Sequence, residues 1–162
     1  MQQEINHLAD FILSKIPDSS VSQQNRKKFR ESLVSELVKK YTSHWYPESS
    51  QQGSGYRAIA NWGSLDPLLL RAIKNSNLDP LVFEKLLSLD MTIWCDPYHV
   101  CYRIGDHGTI YTIFEDKKGL IDNAKRSMAE KVAKSNNDFV ISAYTTPVVM
   151  RRANRAETNG IA

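Results

Sequence analysis

Met91-Thr92-Ile93-Trp94-Cys95-Asp96-Pro97-Tyr98-His99-Val100-Cys101-Tyr102-Arg103-Ile104-Gly105-Asp106-His107-Gly108-Thr109-Ile110-Tyr111-Thr112-Ile113-Phe114-Glu115 is the stretch on which the fold turns. It divides into three short runs rich in β-branched and aromatic residues, separated by Asp96-Pro97 and by Gly105-Asp106-His107-Gly108. Runs of this length and composition, punctuated by Pro and Gly, read as strands joined by tight turns. In the middle run Val100, Tyr102 and Ile104 share one face while Cys101 and Arg103 share the other, the two-residue period of a strand. Pro97 has no amide proton to give to a ladder, so it belongs to the first turn. The stretch predicts a three-stranded antiparallel meander.

Upstream, the period changes from two to about 3.6. Ile5, Leu8, Ile12 and Ile16 recur at three- and four-residue steps, widened by Phe11 and Leu13, and Pro17-Asp18-Ser19-Ser20 ends this helix. Phe29, Leu33, Leu37 and Tyr41 mark a second helix, with Ser20 or Ser22 as its N-cap. Lys27, Lys28, Arg30, Lys39 and Lys40 fall mostly off its stripe and read as a solvated face. Pro47, Gly53 and Gly55 interrupt any helix between His44 and Arg57, and Tyr56–Ala60 alternates as a fourth strand would. Asp66-Pro67 and Asp79-Pro80 each look like a helix start, with Asp as cap and Pro at the first helical position. A fifth helix is expected over Asp122–Lys134, then a loop at Ser135–Asp138 and a short strand over Phe139–Tyr144. The sum is one α+β domain: about four to five helices packed on a small antiparallel sheet of about four strands, the meander included. The expected boundaries are 1–116 for the domain, 117–150 for a basic extension that is helical and packs on it, and 151–162 for a disordered tail.

The 162 residues suit one core, and their apolar share, 41%, is ordinary for a globular chain. No apolar run reaches the length of a bilayer, so a soluble intracellular protein is expected, with Cys95 and Cys101 as free thiols that could face each other across adjacent strands. The net charge of +3 is uneven: residues 1–116 hold 12 Lys/Arg against 14 Asp/Glu, and residues 117–162 hold 9 against 4. Only the C-terminal segment has the charge to attract nucleic acid directly.

The inventory of reactive groups argues against an enzyme. Ser54 in Gly53-Ser54-Gly55 lacks the spacing of a nucleophile elbow and reads as a turn hydroxyl. Cys95 and Cys101 have His99 and His107 nearby, but nothing is spaced to orient an imidazole. A zinc site from His44, Cys95, His99 and Cys101 lacks the paired short spacings that structural zinc sites show. Gly105–Gly108 lies between strands and is a hairpin turn rather than a phosphate loop. No catalytic residue, metal or cofactor is expected. What stands out is aromatic: Trp45, Tyr46, Tyr56, Trp62, Trp94, Tyr98 and Tyr102. Trp45 and Tyr46 are expected in the core. Trp94 is different, because Ile93 and Cys95 on the opposite strand face are the better core candidates. That puts Trp94 outward with Asp96, at a position suited to an interface.

These residues also carry a resemblance. Trp94–Gly105 resembles the second signature box of the BTG/Tob antiproliferative family, and His44-Trp45-Tyr46-Pro47-Glu48 followed by Gly53-Ser54-Gly55-Tyr56-Arg57 resembles the first. The resemblance covers roughly Met1 to Glu115, and Met1–Ile5 leans toward the Tob branch. It implies an α+β fold without enzymatic activity. It further implies an adaptor that binds the DEDD-type exonuclease subunit of the Ccr-Not deadenylase complex and joins it to messenger RNA-bound proteins. The outcome implied is regulated poly(A) shortening and translation, restraint of proliferation, and a place in cytoplasm and nucleus. Tyr56 and Trp94 match the family's contact residues, and His44 and Asp66 match positions at or near that surface. Flanking charges depart from the pattern: Gln52 replaces a lysine, Ala60 a basic residue, and His99-Val100-Cys101-Tyr102 stands for Glu-Val-Ser-Tyr. Neither a BTG-type third box nor the poly(A)-binding-protein motif of Tob tails is seen. The rival expectation is a self-assembling RNA-regulatory scaffold with weak or no deadenylase binding. Direct RNA binding rests on the basic C-terminal segment alone.

Overall fold

The computed structural model describes residues 1–144, with side chains to residue 134. Its helices are α1 (Gln2–Ser14), α2 (Gln23–Tyr41), α3 (Ser54–Arg57), α4 (Pro67–Asn75), α5 (Pro80–Leu86) and α6 (Lys117–Tyr144), with short 3₁₀ turns at Thr42–His44 and Pro47–Ser49. Strands β1 (Ile59–Ala60), β2 (Met91–Asp96), β3 (His99–Ile104) and β4 (Tyr111–Glu115) form one antiparallel sheet in the order β1-β2-β3-β4. The expected meander is thus present, extended by β1. Compact packing runs from Met1 to Ala124 and takes in the start of α6; Lys125 begins a second unit. No described helix is long and apolar enough to cross a membrane.

Capping follows the side chains that predicted it. The Ser22 hydroxyl accepts from the Asn25 amide, and the Asp66 and Asp79 carboxylates accept from Leu68 and Leu81, each ahead of a Pro at the first helical position. Ile5, Leu8, Ala9 and Ile12 of α1, Phe29, Leu33, Leu37 and Tyr41 of α2, and Leu68, Leu69, Ala72 and Ile73 of α4 fill the core. They meet Met91, Ile93, Cys95 and Val100 from the inner face of the sheet. Each such aliphatic side chain taken from water stabilises the fold by about 1.5–3 kcal/mol. Phe83 closes one end against Phe29, with ring centroids 4.9 Å apart.

The register fixes what faces out. Trp94 pairs with Cys101 and Cys95 with Val100, so the two free cysteines lie on opposite faces of the sheet and do not face each other. Between β3 and β4 the partner of Val100 is Phe114 and that of Cys101 is Thr112, which leaves Ile113 as a bulge. At the β2–β3 turn Tyr98 adopts φ +70°, the left-handed conformation a turn after Pro97 requires. The Glu4 carboxylate accepts from its amide and Asp116 donates to its carbonyl, holding that turn against α1 and the start of α6.

Two stretches depart from expectation. Tyr56–Ala60 is not a strand throughout: Gly53 at φ +74° opens a helical turn over Ser54–Arg57, closed by the Ala58 amide on the Ser54 carbonyl, and only Ile59–Ala60 joins the sheet. The alternation of apolar residues there reflects Arg57 turning inward, not a strand. Residues 135–144 form neither a loop nor a strand, because α6 runs from Lys117 through Tyr144 as a sixth helix. No Gly or Pro occurs between Leu120 and Tyr144 to stop it, and a short apolar run cannot by itself tell strand from buried helix. Residues 145–162, which include the end of the expected 117–150 extension and all of the tail expected at 151–162, lie outside the described residues.

Candidate partner-binding surface

Arg57 organises the surface. Its side chain is fully buried, and all five guanidinium protons are used. Nε donates to the Cys95 carbonyl at 2.9 Å, Nη1 to the carbonyls of His44 and Gln52 at 2.7 Å each, and Nη2 to the Ser50 carbonyl at 2.7 Å and to Asp96 Oδ1 at 2.5 Å. Asp96 Oδ2 accepts from the Ser54 hydroxyl at 2.8 Å. One cation therefore ties the end of β2 to the whole irregular segment from His44 to Arg57. Asp96 does share the outer sheet face with Trp94, but it is buried rather than exposed, because this segment covers that end of the face. Asn123 of α6 adds a bond from Nδ2 to the Pro47 carbonyl at 2.6 Å.

Two aromatic side chains, Tyr56 and Trp94, neighbour the clamp in sequence. Tyr56 immediately precedes Arg57 and points the other way, leaving 47% of it exposed. Its ring stacks on His44 with centroids 3.8 Å apart, and His44 is held by Ser43 Oγ at 2.8 Å from its Nδ1. Lys40 Nζ lies 5.7 Å from the Tyr56 centroid and donates to the Ala58 carbonyl at 2.9 Å. Burial lowers the pKa of that ammonium, with the Asp66 carboxylate opposing the shift and Arg71 adding to it. Asp66, half-buried, also accepts from the Ala60 amide at 3.1 Å while capping α4. His44, Tyr56, Lys40 and Asp66 thus border one another around the junction of α2, β1 and α4.

Trp94, two residues before Asp96, is half-buried on the outer face of β2, with the Arg103 guanidinium carbon 5.5 Å from its ring centroid. It lines a cavity of about 280 Å³ together with Gln51, Ser54, His99, Cys101 and Ile110. Among the described residues the Tyr56 ring stacks on His44 and not on Trp94. Arg57 and Asp96 escaped the reading of the sequence as a site pair because each has a bland local role, one in an apparent strand and one before a proline. An arginine at a position patterned for burial was the available signal. Trp45 and Tyr46, expected in the core, are half-buried: Trp45 stacks near Tyr41 and under the Arg57 guanidinium.

Nothing in this arrangement resembles a reaction centre. Burial pushes the Cys95 thiol far above its ordinary range and raises Cys101 as well, His99 Nε2 faces Thr112 Oγ1 at 3.4 Å rather than a thiol, and Ser54 is committed to Asp96. With the cysteines on opposite sheet faces, the four residues His44, Cys95, His99 and Cys101 cannot converge on one ion. The fold is an α+β domain, and Tyr56 and Trp94 are partly exposed on it beside the Arg57–Asp96 pair.

The family model described as the BTG family matches residues 1–114. Similar proteins include human BTG2, 38% identical over 59% of this chain and 61% of that protein, and rat BTG2, 34% identical over 72% and 77% respectively. Human Tob1 is 34% identical over 72% of this chain but only 32% of its own length. Among solved structures, a doubly substituted C. elegans FOG-3 BTG/Tob domain superimposes with a TM-score of 0.65 at 22% identity, over 72% of this chain and 91% of that one. The chain belongs to the BTG/Tob family of antiproliferative proteins, whose members are regulatory rather than enzymatic. It spans 61% of the human BTG2 and about a third of the human Tob1 that it matches.

Proposed function

We propose that this chain is an adaptor that binds the exonuclease subunit of the Ccr-Not deadenylase complex and brings it to messenger RNA-bound proteins. In that role it would regulate poly(A) shortening, translation and proliferation, in cytoplasm and nucleus. The observation that carries the reading is the pair of rings, exposed Tyr56 and half-buried Trp94, each within two residues of the Arg57–Asp96 clamp that fixes the local backbone. Rings fixed in this way lose little freedom on docking, which is why aromatic residues dominate binding hot spots. His44 braces Tyr56, and Asp66 fixes the neighbouring start of α4. Calorimetric titration with the purified exonuclease subunit tests it. Trp94→Ala should weaken binding by at least about 2 kcal/mol while the thermal melt is little changed; wild-type affinity in that variant rejects the reading.

The rival, self-assembly with weak or no deadenylase binding, draws on a different observation. Ile110, just before β4, and Tyr111, its first residue, are exposed, and the outer edge of that strand is unpaired among the described residues. Concentration-dependent light scattering separates the two, since a strict monomer at high concentration excludes the scaffold. Contact with messages would run through RNA-binding proteins. Direct binding by the basic segment 117–162 would show as affinity that falls with salt and vanishes on its deletion.

A further inference from the structure

The residue least explained by the surface above is Trp62. Its ring is 80% exposed, yet the residues on both sides of it are hydrogen-bonded to the segment leading into β2. The Asn61 amide donates to the Met91 carbonyl at 2.9 Å and the Gly63 amide to the Leu89 carbonyl at 2.7 Å, which continues the β1–β2 register by three residues. Asn61 is itself buried, its side chain bonded to the Ser88 carbonyl and the Asp66 amide. By that register Trp62 stands opposite Asp90 on the outer side of the sheet. Asp90 in turn accepts the Gly105 amide on its carbonyl at 3.0 Å, so the row reads Trp62, Asp90, Gly105. Gly105 has φ +70° and no side chain; a Cβ there would lie 3.7 Å from Asp90 Oδ2. Beside it is a cleft of about 340 Å³ lined by Trp62, Gly63, Leu89, Asp90, Gly105 and Asp106.

The chemistry of the cleft is specific. Asp90 Oδ1 accepts from Ser88 Oγ at 2.5 Å, which leaves Oδ2 turned toward the Gly105 side. Asp106 is solvent-exposed and 3.7 Å from Arg103, whose one positive charge only partly offsets two carboxylates. An indole face beside excess negative charge attracts a cation, and a planar guanidinium gains most because it can stack on the ring and fork to a carboxylate at once. We propose that this cleft takes an arginine side chain from an extended, basic segment of a partner protein, at a site separate from the Tyr56 and Trp94 anchors.

The test is a titration of the chain with a short arginine–glycine peptide, followed by the NMR shift of the Trp62 indole N–H. Saturable binding is expected. It should weaken at least about tenfold in Trp62→Ala and when citrulline, which keeps the shape and lacks the charge, replaces arginine. Asp90→Asn combined with Asp106→Asn should weaken it and flatten its dependence on salt. Thermal melts of both variants should match the wild type, since neither changes a core residue. Equal binding of the citrulline peptide, unchanged binding in Trp62→Ala, or loss of peptide binding in Trp94→Ala would each overturn the assignment. The exonuclease titration stands apart from all three outcomes.

Discussion

Arg57→Lys is the sharpest probe of how the surface is held. The substitution keeps the charge and removes the fork. A lysine ammonium has three donors at one point, whereas Arg57 serves five acceptors spread over His44, Ser50, Gln52, Cys95 and Asp96. At least two buried acceptors are then left without a partner. At about 1–3 kcal/mol for each, the loss is about 2–6 kcal/mol, out of a total of about 5–15 kcal/mol for a domain of this kind. Arg57→Met is harsher, since it also strands the Asp96 carboxylate, and losing one partner of a buried pair costs about 3–5 kcal/mol on its own. Urea unfolding followed by tryptophan fluorescence reads both. With a slope of about 1.5 kcal/mol per molar urea, a loss near 3 kcal/mol moves the midpoint down by about 2 M. Exonuclease affinity, measured on Arg57→Lys under strongly folding conditions, should fall too, although neither aromatic ring has been altered. A midpoint within about 0.5 M of wild type would refute the claim that this one guanidinium holds the segment together.

Gly119→Ala should destabilise by about 1 kcal/mol: the new methyl would sit 2.5 Å from Tyr98 Cδ1, and the crowding outweighs the gain of about 1 kcal/mol that alanine brings to a helix; a melt shows the sign. Stability should decline as pH rises above about 9, because burial holds the Cys95 and Cys101 thiols protonated in the folded chain while the unfolded chain releases those protons. Urea midpoints at pH 8 and pH 10 measure the decline, and Cys95→Ala should reduce it. Native Cys95 should also resist thiol reagents at pH 8, reacting only as fast as the domain opens. Tyr56→Ala should change stability by less than about 1 kcal/mol and cost at least about 2 kcal/mol in exonuclease binding, as melting and calorimetry would show.

The fold was legible wherever a periodic pattern met a stop signal. The meander, the stripes of α1 and α2, and the two Asp-Pro caps all have local causes, and all appear where those causes place them. The outward face of Trp94 followed from alternation alone. What the pattern missed depended on contacts across about 40 residues of chain. Arg57 reads as one more member of an alternating run until Cys95 and Asp96 are brought beside it. Asp96 looked like an exposed turn residue until the Ser50–Arg57 segment covered it. Trp62 drew notice as one aromatic among seven; only the register that sets it against Asp90 distinguishes it. The reach of α6 was misjudged because Phe139–Tyr144 is too short for its period to decide between strand and helix.

The bond from Asn123 to the Pro47 carbonyl has a practical meaning for anyone trimming this chain. The match to the family model ends at residue 114, which invites a cut soon after β4. Such a cut would discard Asp116, whose amide meets the Tyr98 carbonyl and whose carboxylate receives the Gly119 amide, and with it the residue that fastens the Pro47 bend from outside. The compact unit therefore outlasts the stretch that the family model matches, running on to Ala124.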